Sequence, residues 1–100
     1  MANKVVIDKD IIGWGNEHEE EISKDYNEIL KVGIDSDLPQ RKEDKEIASF
    51  CKNNNCDLLT ADIKAYTYYF DIGIKSIQIT RYGFDKKADK YVYLIKIVEF

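Results

Sequence analysis

One hundred residues, 44% of them hydrophobic and 34% charged, suffice for one small core and are too few for two domains. Nothing approaches the ~20 consecutive apolar residues of a membrane span, and the N-terminus lacks a secretory apolar segment, so the expectation is a soluble, cytoplasmic single domain over residues 1–100. Fifteen basic against 19 acidic side chains leave a net charge of −4, which argues against gripping nucleic acid by bulk positive charge alone.

The charge is uneven along the chain. Residues 1–50 carry 13 acidic and 7 basic side chains, net −6, whereas residues 51–100 carry 6 and 8, net +2, together with 9 of the 12 aromatic residues.

Lys4-Val5-Val6-Ile7-Asp8 is a short β-branched run without spare polar positions, the pattern of a strand covered on both faces. Gly13 and Gly15 loosen the chain after it. Asn16 followed by Glu19 has capping-box spacing, and Ile22, Tyr26, Ile29 and Leu30 then fall on one helical stripe that Gly33 would stop. Asp35, Ser36, Asp37 and Pro39 mark a loop. A second helix is predicted from about Lys42, with Ile47, Ala48, Phe50 and Cys51 inward and Asn53-Asn54-Asn55 as its end. Asp57-Leu58-Leu59-Thr60 reads as another buried strand. Asp62 opens a third helix, with Ala65, Tyr66, Tyr69 and Phe70 on one side, Tyr68 off that stripe and Gly73 as the stop. Ile77 and Ile79 begin a hairpin, a polar loop runs from Gly83 to Lys90, and Tyr91 to Val98 alternate as the last strand. The order strand, helix, helix, strand, helix, strand, strand predicts an α/β chain in three layers with a parallel core.

Cys51 and Cys56 are five apart, a poor metal spacing with His18 as the only histidine, so zinc is not expected. Two buried thiols at a helix end, bonded or free, are the reading. His18 sits in a run of glutamates and reads as a surface residue. Trp14, between two glycines, reads as a plug of the core or first loop, or else as an exposed anchor for a partner.

In parallel sheets, ligands gather beyond the carboxyl ends of the strands. Asp8 closes the first strand and Asp62 follows the second. Asp44, in the first turn of the second helix, reaches the same edge if that helix packs beside the first strand. Three such carboxylates would form an oxygen-only site suited to Mg²⁺ or Mn²⁺.

Ile7-Asp8 after a hydrophobic strand, then Asp44-Lys45-Glu46-Ile47-Ala48, then Leu58-Leu59-Thr60-Ala61-Asp62, resembles the three acidic signatures of PIN-like nucleases, in particular the short VapC-like members. The resemblance implies a three-layer α/β/α PIN-like sandwich with a mainly parallel central sheet and a C-terminal β-hairpin. It also implies metal-dependent cleavage of RNA, as the toxin of a toxin–antitoxin pair. Asp8, Asp44 and Asp62 would then be the catalytic metal ligands, with Asp37 or Glu43 as a further acid. Thr60 would orient the Asp62 loop by a side-chain hydrogen bond. The chain is shorter than typical members, and the aromatic residue expected after the last signature falls one position late, at Tyr66.

Each of these residues also has a plainer reading. Asp8 would cap a turn, Asp44 would complement a helix dipole, Asp62 would be an N-cap, and Asp10 and Asp37 would be solvated loop acids or support for a ligand. Arg41, Lys42 and Lys45 flank Asp44 and are the candidates for substrate phosphate, together with Thr60 in the substrate-binding set; a solvated basic face is the alternative. At the level of function the rival to a nuclease is a catalytically silent PIN-like module that binds RNA or protein. A receiver-like acidic pocket is weaker, because its lysine and switch hydroxyl cannot be placed. The expected partners are an RNA substrate, an antitoxin protein and a second copy of the chain, with no membrane.

Overall fold

A computed structural model describes residues 3–34 and 44–98. The elements are β1 (Lys4–Ile7), α1 (Ile12–Glu17), α2 (Glu19–Ile22), β2 (Glu28–Lys31), α3 (Asp44–Asn54), β3 (Cys56–Thr60), α4 (Tyr66–Asp71), β4 (Ile77–Asp85) and β5 (Lys90–Ile97). Single 3-10 turns at Lys9–Ile11 and Ile63–Ala65 lead into α1 and α4.

The strands form one sheet in the order β2-β1-β3-β5-β4. β1 pairs in parallel with β2 and with β3, whereas β5 runs antiparallel to both β3 and β4. The sheet is therefore mixed, and the expected mainly parallel PIN-like sandwich is corrected. The cause lies in the hairpin. Residues 86–89 are too short a connection for anything but antiparallel neighbours, and β5 lies between β3 and β4, so the hairpin becomes the antiparallel half of the sheet.

A second correction concerns the first helix. The predicted single stripe through Ile22, Tyr26, Ile29 and Leu30 splits into two short helices and a strand. Ile29 packs with the core on one face of the sheet and its neighbour Leu30 with the core on the other. Adjacent residues buried on opposite faces are the signature of a covered strand, and a stripe only four positions deep does not separate the two periods. The helical start also moves: α1 begins at Ile12, with Gly13, Gly15 and Asn16 inside it. Gly15 lets the helix lie on β1, because a Cβ there would sit 2.9 Å from Ile7 Cγ2.

α3 buries Ile47, Ala48 and Cys51 against one face of the sheet, together with Ala65 and Tyr69 of the α4 region. It ends where Asn55 adopts φ 54°, with the Asn54 side chain donating to the Phe50 carbonyl at 2.9 Å. In α4 the outward and inward aromatics differ from expectation. Phe70 is 47% exposed, whereas Tyr68 is half-buried against the core. The opposite face of the sheet is covered by Ile11, Trp14 and Ile22, which pack on Val5, Ile7, Leu59, Val92 and Leu94.

The predicted loop Gly83–Lys90 is half strand, since β4 runs to Asp85 past a bulge between Arg81 and Gly83 and β5 begins at Lys90, leaving residues 86–89 as the turn. Trp14 holds this bulge from beneath. Its Nε1 donates to the Phe84 carbonyl at 3.1 Å, and a Cβ on Gly83 would lie 2.5 Å from its Cζ2. His18 stacks on the same indole, with centroids 4.4 Å apart, and is half-buried instead of on the open surface. Cys51 and Cys56 are free, buried thiols, and burial pushes both upward, away from the reactive thiolate form.

Candidate functional site

The register that pairs Ile7 with Leu59 sets Asp8 and Thr60 side by side, just past the carboxyl ends of β1 and β3. The Asp8 amide continues the ladder by donating to the Leu59 carbonyl at 2.9 Å. Asp8 is 5% exposed and Thr60 wholly buried. The Thr60 hydroxyl donates to Asp8 Oδ2 at 2.7 Å, and the Lys9 amide donates to Oδ1 at 2.7 Å. Each carboxylate oxygen is thus held by a donor, which is what an ionised group needs to remain buried.

Thr60 also works in the other direction. Its oxygen accepts from the Asp62 amide at 3.0 Å, so one hydroxyl ties the Asp8 carboxylate to the loop after β3. Asp62 itself is exposed, and its Oδ1 accepts from the Lys64 amide at 3.0 Å, capping the turn Ile63–Ala65. Its link to Asp8 runs through Thr60.

Asp10 is the neighbour that sequence reasoning undervalued. Its carboxyl is pushed up to about 6, first by desolvation and then by the negative charge of Asp8, against the pull of the Ala61 amide and the Lys90 ammonium. The residue as a whole stays exposed to solvent. Two carboxyl groups on one short turn therefore share a crowded anionic edge. The signal for this was present as the spacing Asp8-x-Asp10 directly after a buried strand.

Asp44 opens α3, but its side chain lies outside the described part of the structure, as do Asp37, Arg41, Lys42 and Glu43. Lys45 is exposed in the first turn of α3. Among the described residues, no group of three or more His, Cys, Asp or Glu side chains is arranged to hold a metal ion. Asp8 and Asp10 are oxygen donors of the type that Mg²⁺ or Mn²⁺ prefers, two carboxylates on one short turn.

A second polar place was not foreseen. A cleft of about 320 Å³ is lined by Asp25, Tyr26, Asp57, Tyr82 and Lys96 among others. Asp57, 5% exposed within β3, accepts from the Tyr26 hydroxyl at 2.6 Å, and Tyr82 donates to Asp25 at 2.7 Å. Desolvation raises the Asp57 carboxyl, partly offset by Tyr26 and Lys96. The clue in the sequence was a carboxylate inside an otherwise apolar run, which needs a donor to be buried at all.

Compared with known proteins, the chain matches no family model, no curated protein and no solved structure. No helix of the described residues is long and apolar enough to cross a membrane.

Proposed function

We propose that the protein is a metal-dependent endoribonuclease whose working edge is the Asp8–Asp10–Thr60 cluster. The observation that carries this reading is the pair of carboxyl groups at the carboxyl end of β1, one buried and fixed by two donors, the other lifted to about 6 beside it. The similarity of the three acidic segments to those of PIN-like nucleases supports it. Thr60 and the Lys9 amide orient Asp8, and Asp10 faces solvent where a phosphodiester arrives. When bound at such a carboxylate pair, a divalent cation lowers the pKa of water and stabilises charge on the phosphoryl oxygens. Asp44 and Asp62 remain the proposed further ligands, and Lys45, with Arg41 and Lys42, the proposed phosphate contacts.

A second reading, a catalytically silent module that binds RNA or protein, is favoured by one observation. Both Asp8 oxygens are already engaged by protein donors.

One pair of measurements separates the readings. Mg²⁺ or Mn²⁺ is expected to raise the melting temperature of the wild-type protein by mass action and to leave Asp8→Asn unshifted. Cleavage of a labelled RNA is expected to require the ion and to vanish in the same variant. Cleavage that persists in purified Asp8→Asn overturns the assignment, and RNA binding without cleavage or metal stabilisation selects the silent module.

A further inference from the structure

The carboxylate cluster does not stop at Thr60. Thr60 pairs with Tyr93 across the β3–β5 ladder, so the two side chains share a face of the sheet. Two residues along β5, Tyr91 lies on that face, its ring 6.5 Å from that of Tyr93. Across the β4–β5 ladder, Arg81 is opposite Tyr93 and Phe84 opposite Tyr91. The bulge between Arg81 and Gly83 is what brings Arg81 and Phe84 onto the same side, while Tyr82 and Gly83 turn to the Trp14 side. The result is a ladder of rings running outward from Asp8: Tyr93, then Tyr91, then Phe84 at 5.1 Å from Tyr91, with the Arg81 guanidinium 4.3 Å over the Tyr91 ring.

Two properties make this surface unusual for this chain. Tyr91 is 44% and Phe84 40% exposed, large rings left open next to one another. The segment from Ile77 to Ile97 also carries five basic and two acidic side chains, a net +3, which leaves −7 on the rest of the chain. Of these cations Arg81 lies on the ring face, whereas Lys87 pairs with Glu17 at 2.9 Å and Lys96 lines the cleft with Tyr26 and Tyr82 on the Trp14 side.

We propose that this face of the β4–β5 hairpin binds single-stranded RNA, with bases stacking on Tyr91 and Phe84 and the backbone held by Arg81 along the ladder that leads to Thr60 and Asp8. Exposed rings interleaved with cationic groups are the recurring chemistry for unpaired bases, whose flat faces stack and whose phosphates need positive charge. A second copy pairing along the β4 edge fits less well, because the bulge between Arg81 and Gly83 breaks the regular ladder of that edge strand. The choice of RNA rests on the proposed function; the surface itself stands on the ring ladder and the Arg81 guanidinium over it.

The test is binding of a fluorescein-labelled oligouridine to the Asp8→Asn protein in EDTA, so that cleavage and metal play no part. Tyr91→Ala and Phe84→Ala are each expected to weaken binding by about tenfold, Arg81→Gln to lower both affinity and its salt dependence, and Lys24→Ala to change nothing. Tyr91→Phe, which keeps the ring, is expected to restore affinity, and circular dichroism confirms that each variant is folded. The proposal is overturned if oligouridine does not bind, if the ring variants bind it as tightly as the parent, or if they alter sedimentation instead of RNA affinity. Because the parent is cleavage-dead, success here with no cleavage by wild type would remove the nuclease reading and leave the surface intact.

Discussion

At the scale of single residues, Thr60 has the most consequences per atom. One hydroxyl donates to Asp8 and accepts from the Asp62 amide, joining the ends of two parallel strands. Thr60→Val keeps the shape and removes both bonds, leaving a buried carboxylate oxygen short of its donor; urea denaturation is expected to show a loss of about 1–3 kcal/mol. Asp57 gives a pH signature. Its carboxyl is raised above 3.8 in the folded protein, so the native state holds a proton that the unfolded chain has released. Stability from this group is complete below 3.8 and falls as pH rises through the folded value. Urea midpoints measured from acid to neutral pH are expected to decline less steeply in Asp57→Asn than in wild type. Asp8, Thr60 and Asp62 could be placed at one edge from the sequence because strand ends and short acidic signatures are local patterns. Asp10 and Asp57 could not be weighted correctly, since their chemistry comes from neighbours: Asp8 and Ala61 for one, a tyrosine 31 positions away for the other.

At the scale of elements, the short segments were the hard ones. The strand runs around Val6 and Leu58 and the helix carrying Ile47 to Cys51 were legible, because each buries a continuous pattern. β2 was not, since its four residues continue the helical spacing of Ile22 and Tyr26 by coincidence. The hairpin was foreseen as a pair of strands, but its bulge depends on a tryptophan 69 positions from Gly83, which no local pattern reports. That contact is a tight one. Gly83→Ala would set a methyl 2.5 Å from the indole, so either α1 or β4 must shift. The expected cost is about 1–3 kcal/mol, read by thermal denaturation.

At the scale of the whole molecule, the sheet joins two kinds of topology. Its parallel half, β2-β1-β3, carries the carboxylates at one end, and its antiparallel half carries the rings and the positive charge. The net charge of −4 averages over this separation and describes neither half. Reading the chain as a parallel core with an appended hairpin set Asp8 and Asp62 just past the ends of β1 and β3, where they lie, and undervalued the hairpin, because pairing order is a long-range property. β5 meets β3 before it meets solvent, and that insertion puts Tyr93 beside Thr60.

The chain contains one tryptophan, and it lies behind the hairpin, on the face opposite Tyr91 and Phe84. Its indole touches the bulge without being part of the ring ladder. Intrinsic fluorescence of this protein is therefore an optical gauge of a single event, the seating of the hairpin on α1, with no other indole to dilute the signal.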